Sequence, residues 1–205
     1  MNISPVEDPS IVNAIFSQLE SPRIILRHFR DADLSSFLAY RNDPEVAKYQ
    51  SWESVSTQEA QTFVQEQKTL QPGLPGQWFQ FAIELKATGR LLGDCGLKVL
   101  QQDTQQAEIG FTLSGDYHSK GLASEAVSCL LDYAFIHLGL HRIMAVTDCQ
   151  NSPCVALLEH LGLRREGHFV QNVWFKGKWG DEYLYAILKD EWLQKRDKPV
   201  SVKRC

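Results

Sequence analysis

The run that decides the fold spans residues 106–126 and reads QAEIGFTLSGDYHSKGLASEA. Its first eight residues alternate between apolar side chains and polar or small ones, which predicts a strand with one buried face. The buried face comprises Ala107, Ile109, Phe111 and Leu113, and the opposite face comprises Glu108, Gly110 and Thr112. A short polar loop follows, and from Gly121 to Leu138 apolar residues recur at helical spacing.

The start of this helix can be interpreted in two ways. A helix N-terminus presents unpaired amides and the positive end of the helix dipole, and small residues there let the backbone approach a phosphate. The same residues are also typical of an ordinary capped helix. Neither a G-x-x-x-x-G-K-[ST] nor a G-x-G-x-x-G motif is present, which disfavours kinases, ATPases and dinucleotide oxidoreductases.

The rest of the chain continues the mixture of strands and helices. Strands are expected at 22–29, 77–86, 90–100, 106–113, 141–148, 163–175 and 181–188. Helices are expected at 10–20, 56–70, 121–138 and 152–162, with two short helices between residues 31 and 50. Helices lie between strands twice, so the predicted fold class is α+β, or mixed α/β.

Length and composition favour one domain in the cytoplasm. The chain has 205 residues, 43% of them apolar, and the Pro-Gly segment 71–78 is too short to separate two cores. A net charge of −4 offers no basic surface for direct nucleic-acid binding. The five cysteines lack a C-x-x-C pair, which fits reduced thiols, and no metal-ligand spacing is visible. Neither a signal peptide nor a membrane span is predicted.

Four segments in order resemble the GNAT superfamily of acetyl-CoA-dependent N-acetyltransferases. They are QAEIGFTL, DYHSKGLASEA, HRIMAVTD and NSPCVALLEHLGLRREG. The resemblance implies a central, mostly antiparallel, twisted sheet of about seven strands flanked by helices, with the fourth and fifth strands splayed apart. Two further segments, RIILRHFRDADLSSFLAYRNDPEV and GKWGDEYLYAILKDEW, resemble the RimJ/RimL-type ribosomal-protein N-terminal acetyltransferases.

This resemblance also sets expected domain boundaries. It covers residues 22–193, which are the expected acetyltransferase domain. Residues 1–21 are then an N-terminal extension with a short helix, and residues 194–205 are a basic tail that we expect to be disordered.

The resemblance implies which residues bind acetyl-CoA. The family signature R/Q-x-x-G-x-G/A looks like residues 118–123, with His118 where Arg or Gln is usual. The residues implied to cradle the pyrophosphate are His118, Ser119, Lys120, Gly121, Leu122, Ala123 and Ser124. Backbone groups of Phe111, Thr112 and Leu113 are expected along the pantetheine arm. Asn151 resembles the family's pantetheine-binding asparagine, although it also suits a helix N-cap.

Two side chains are candidates for proton transfer. Glu108 is implied to be the base that takes the amine proton, the alternative being a solvated strand face. The tyrosine that many members place seven residues after the asparagine is Leu158 here, and the subgroup's serine is Cys154. Cys154 is therefore expected as general acid or pantetheine contact, with a pKa lowered by the first turn of its helix. A buried cysteine without chemistry and a covalent nucleophile are the alternatives.

The expected reaction is direct acetyl transfer to a primary amine. A protein or peptide α-amine, with a pKa of about 8, is more often neutral than a lysine amine near about 10.4. Small amines remain an alternative acceptor, and a non-catalytic CoA-binding domain is an alternative function. Acceptor recognition is expected from Tyr49, Trp52, Glu53, Trp78, Phe79, Trp174 and Trp179. Aromatic residues of this kind also pack in cores or in a homodimer interface.

Overall fold

Alternating apolar residues build one eight-stranded sheet in the computed structural model, which describes residues 16–197. The strands are β1 Gln18–Glu20, β2 Ile24–Arg27, β3 Trp78–Leu85, β4 Arg90–Val99, β5 Gln106–Leu113, β6 Arg142–Asp148, β7 Arg164–Phe175 and β8 Lys178–Leu188. Their order in the sheet is β1-β2-β3-β4-β5-β6-β8-β7. All neighbours are antiparallel except β5 and β6. The predicted mixed, mostly antiparallel fold is confirmed.

Helices flank the sheet on both faces. They are α1 Leu34–Arg41, α2 Pro44–Ala47, α3 Thr57–Thr69, α4 Leu122–Asp132, α5 Ser152–Leu161 and α6 Lys189–Asp197. A π-helical turn, Tyr133–His137, continues α4. A capping box holds the start of α3, where Ser56 and Glu59 bond each other's backbone amides. Within residues 16–197, no helix combines the length and the apolar character needed to cross a bilayer.

Both ends of the described chain correct the predictions. The helix expected at 10–20 is wrong for its last part, because Gln18–Glu20 forms β1. Pairing with β2 satisfies the backbone of this segment, and Phe16 packs into the core with 8% exposure. The tail expected from residue 194 is helical as far as Asp197. Residues 1–15 and 198–205 lie outside the described residues.

Two cores hold the middle of the sheet. On one face, α4 and α5 pack over β3–β6 with fully buried residues such as Phe81 and Leu130. On the other face, α1 and α3 enclose a smaller core that includes Phe29 and Phe37. Full burial of one such side chain is worth about 1.5–3 kcal/mol. The central strands are therefore a rigid base for any site at their ends.

The sheet opens between β5 and β6. These strands pair only at Gln106–Arg142, Ala107–Ile143 and Glu108–Met144. Beyond Glu108 the edge of β5 that faces β6 has no strand partner within the described chain. β5 and β6 are the fourth and fifth strands of the family fold, since β1 adds one to the numbering here. The predicted splay of these two strands is thus present.

Candidate active site

A cleft of about 1520 Å³ begins at this splay. It brings together nearly all the residues expected from the sequence to form the site. Those lining it are Glu108, Phe111, Thr112, Leu113, His118, Ser119, Gly121, Leu122, Ala123, Ser124, Asn151 and Cys154. Lys120 does not line the cleft. The cleft therefore runs from the start of α4, along β5, to the side of α5.

The start of α4 has the backbone geometry of an anion cradle. Gly121 is the N-cap with φ 72°, and no side chain caps the helix. Ser119 also has a positive φ, 58°, which costs a non-glycine residue about 1 kcal/mol or more. The amides of Leu122, Ala123 and Ser124 in the first turn have no intrahelical acceptor. Strain next to uncapped amides is an arrangement suited to a bound phosphate.

The polar side chains of this loop fasten the loop itself. His118 donates from Nε2 to the carbonyl of Leu113, at 2.9 Å. Lys120 donates from Nζ to the carbonyl of Asp116, at 2.7 Å. Both side chains bond backbone within the segment 113–120, so the cradle consists of backbone amides. His118 consequently joins the loop to the end of β5.

Glu108 lies half-buried on β5, with Lys98 opposite it on β4 and Met144 opposite it on β6. Burial raises the pKa of the Glu108 carboxyl; Lys98 opposes this rise, and Glu182 on β8 adds to it. The pKa therefore lies above the ordinary value of 4.5. A carboxylate with a raised pKa and access to a cleft is suited to accept a proton.

Cys154 and Asn151 lie at the start of α5. The expectation of a lowered Cys154 pKa is wrong: burial raises the pKa of the thiol, and a hydrogen bond with Thr147 only partly opposes this. The thiol is therefore protonated at neutral pH and is a poor nucleophile. Asn151 is the N-cap, and its Oδ1 accepts from the Cys154 amide at 3.3 Å.

A buried ion pair at one wall of the cleft was missed from the sequence. Asp94 on β4 is 2% exposed and accepts hydrogen bonds from Arg41 Nη2, at 2.8 Å, and from the Tyr40 hydroxyl. The Arg41 guanidinium stacks over Trp52, 3.8 Å from the ring centroid. The available signal was a single acidic residue, Asp94, inside an otherwise apolar strand, RLLGDCGLKV.

The aromatic residues expected around the acceptor divide into two groups. Tyr49, Trp52 and Trp78 line the cleft, as does Phe175, which was not expected there. The other expected residues, Glu53, Phe79, Trp174 and Trp179, do not line it. Phe79 is in the core at 1% exposure, and the two tryptophans are more than half exposed on the β7–β8 hairpin. Among residues 16–197, no three His, Cys, Asp or Glu side chains group as metal ligands would.

Comparison with known proteins identifies the family. A family model described as an acetyltransferase (GNAT) domain matches residues 23–164, more than half of the chain. The chain belongs to the GNAT acetyltransferase family. The chain is 35% identical over 175 residues to "uncharacterized N-acetyltransferase p20" of Bacillus licheniformis, covering 85% of this GNAT chain and 97% of that protein. It is therefore an acetyltransferase.

Solved structures agree with this assignment. A GNAT-family acetyltransferase from Bacillus anthracis superposes with a TM-score of 0.75 at 30% identity, over 84% of this GNAT chain and 99% of that one. Two more distant structures share the fold. Spermidine N-acetyltransferase from Vibrio cholerae, in complex with CoA and spermine, has a TM-score of 0.73 at 23% identity, with 84% and 99% covered. Mycobacterium smegmatis RimJ, in complex with CoA-disulfide, has a TM-score of 0.72 at 24% identity, over 85% of this chain and 87% of that one.

Proposed function

We propose that this GNAT protein is an acetyl-CoA-dependent N-acetyltransferase of the RimJ/RimL type, with a protein or peptide α-amine as acceptor. One observation carries the proposal: a single cleft joins an uncapped amide cradle at α4 to the half-buried Glu108 on β5. The first of these features suits a pyrophosphate and the second an amine proton. The CoA complexes of two proteins with the same fold support acetyl-CoA as the donor.

The residues of the cleft fit acetyl-CoA, which supplies an acetyl group activated as a thioester. The amides of Leu122, Ala123 and Ser124 would hold the pyrophosphate. The edge of β5 beyond Glu108 offers unpaired backbone groups to the amides of the pantetheine arm. Asn151 adds a side-chain amide on the opposite wall, although its Oδ1 already caps α5.

Two protein groups would handle the protons of the transfer. Glu108 accepts the proton that the amine loses as the new C–N bond forms. Cys154 donates a proton to the sulfur as the C–S bond breaks, which its raised pKa and protonated state allow. Exchange with solvent then restores both groups. Both residues line the same cleft, which supports a direct reaction of amine and thioester in a ternary complex.

A small cationic amine is a second candidate acceptor. The cleft is lined by the carboxylates of Glu45, Glu108, Asp148 and Glu182, and its Asp94 is already paired with Arg41. Lys48 is the remaining lysine or arginine among the lining residues of the described chain. This excess of negative charge would attract an amine with a second positive charge. The spermine complex of the Vibrio cholerae enzyme is a precedent on the same fold.

The experiment combines CoA titration with an acceptor panel. Isothermal titration with CoA should show saturable heat, and its absence would overturn the proposal. Thiol release from acetyl-CoA is then measured with a peptide whose α-amine is free, with the same peptide blocked at the N-terminus, and with spermidine. The free peptide should accelerate thiol release and gain one acetyl group by mass spectrometry. Activity with spermidine alone would select the second candidate.

A further inference from the structure

The turn between β1 and β2 reaches the start of α4 through one arginine. Arg23 donates from Nε to Glu125 Oε2 at 2.6 Å and from its backbone amide to Glu125 Oε1 at 2.7 Å. Its Nη1 donates to the backbone carbonyl of Lys120 at 3.0 Å. Ser21 donates its hydroxyl to the same carboxylate at 2.7 Å. The turn is therefore bonded to the chain on both sides of Gly121.

The bond to Lys120 fixes the peptide that begins the cradle. A trans peptide is planar, so its C=O and N–H groups point in opposite directions. With the Lys120 carbonyl held by Arg23, the Gly121 amide must point away from the guanidinium. Arg23 Nη2 lies 3.5 Å from the position that a β-carbon on Gly121 would occupy, so the guanidinium also packs against this glycine.

Glu125 makes the charge of Arg23 necessary. Its carboxylate lies in the first turn of α4 with 14% side-chain exposure. Burial alone would raise the Glu125 pKa, but hydrogen bonds from Ser21 and Arg23 bring it below the ordinary value, so the group is ionised at neutral pH. An ionised carboxylate in the first turn is stabilised by the helix dipole, but it repels a second anion bound at the same end of the helix. The Arg23 charge cancels that repulsion.

We propose that Arg23 is a positioning residue for the CoA pyrophosphate, a role that rests on the proposed function. It holds the Lys120 carbonyl away from the anion and neutralises Glu125, and it makes the two bonds at once through separate nitrogens of its forked guanidinium, Nη1 and Nε. A lysine ammonium would keep the positive charge, but all its donors are on one nitrogen, which cannot occupy the positions of Nε and Nη1 together. The strand turn thereby sets the conformation of a cradle about 100 residues further along the chain.

The test compares Arg23→Gln, Arg23→Lys and the wild type in CoA titration and steady-state kinetics. Arg23→Gln should raise the Kd for CoA and the KM for acetyl-CoA about tenfold and change kcat less than about twofold. Arg23→Lys should raise both constants at least about fivefold, because the fork is lost. Wild-type affinity in Arg23→Lys, or a loss confined to kcat, would overturn the positioning role.

A matched control separates this role from general charge. Lys86→Gln removes one positive charge from the neighbouring strand region, where Lys86 forms an exposed ion pair with Glu20 at 2.7 Å. Its Kd for CoA should equal that of the wild type at the same ionic strength, and an equal loss in both Gln variants would overturn the inference. Should Arg23→Gln unfold below the assay temperature, Arg23→Lys decides the outcome. A wild type that does not bind CoA refutes the proposed function itself.

Discussion

Glu108 is the side chain whose removal tests the amine chemistry. Glu108→Gln keeps the shape of the side chain but cannot accept a proton. We expect kcat to fall about 10²–10⁴-fold at neutral pH, the usual scale for a lost general base. The loss should grow as pH falls towards the Glu108 pKa, because fewer amines are then neutral without help and the wild-type carboxylate is still ionised.

The pH profile provides the control for this variant. Because the Glu108 pKa is raised, the acid limb of wild-type kcat/KM should lie above the ordinary carboxyl value of 4.5. CoA binding should be unchanged in Glu108→Gln. An unaltered rate across the pH range would remove Glu108 from the mechanism.

Cys154 is the second residue with a distinct chemical signature. Because its pKa is raised, the thiol should react slowly with iodoacetamide at neutral pH, when compared with a free thiol peptide. As a proton donor it should be replaceable: Cys154→Ser retains most of kcat, and Cys154→Ala loses about tenfold or more. Fast alkylation, or equal rates for both variants, would contradict the role of an acid.

At the scale of elements, the loop and the first turn of α4 act as one unit. Gly121→Val forces a β-branched residue into φ 72°, so it should weaken CoA binding at least about tenfold. His118→Ala removes one bond to the carbonyl of Leu113 and should have a smaller effect. Titration with CoA measures both variants. The opposite order would show that side chains, not amides, hold the phosphate.

The elements also show where sequence patterns succeed. Alternation, apolar runs or helical spacing predicted β3 to β8 and helices α3 to α5, because each of these segments is long enough to carry a recognisable pattern of its own. β1 was missed, since three residues with no fully buried side chain carry no pattern, and pairing with β2 alone decides their conformation. The Arg41–Asp94 pair was missed for a related reason: 53 residues separate its members, and only the fold brings them together.

At the scale of the whole molecule, buried cysteine thiols make the stability of the fold depend on pH. Burial raises the pKa of Cys95, Cys129 and Cys154, that of Cys129 to about 11. Above the unfolded value of 9.0, the unfolded chain loses these protons before the folded chain does. Stability should therefore fall as pH rises through that range. Lys195, whose pKa burial lowers, acts in the opposite direction as a single group.

Thermal unfolding under reducing conditions measures this effect. The Tm should decrease between pH 8 and pH 10, a range that spans one pH unit on either side of the ordinary thiol pKa of 9.0. Cys129→Ser, which replaces the thiol by a group that does not titrate, should show a shallower decrease. A Tm that stays constant or rises in the wild type would contradict the assignment of these groups.

The short pairing between β5 and β6 has a mechanical meaning. In the described part of the chain, only three residue pairs join the five strands β1 to β5 to the three strands β6, β8 and β7. The β5–β6 junction is therefore the weakest strand pairing in the middle of the sheet. The two groups of strands are also held together by α4 and α5, which pack in the same hydrophobic core, and by any molecule bound between β5 and β6. Such a molecule adds contacts to both groups of strands at once. Ligand binding should therefore stabilise the sheet most at the β5–β6 junction, where its own strand pairing is weakest.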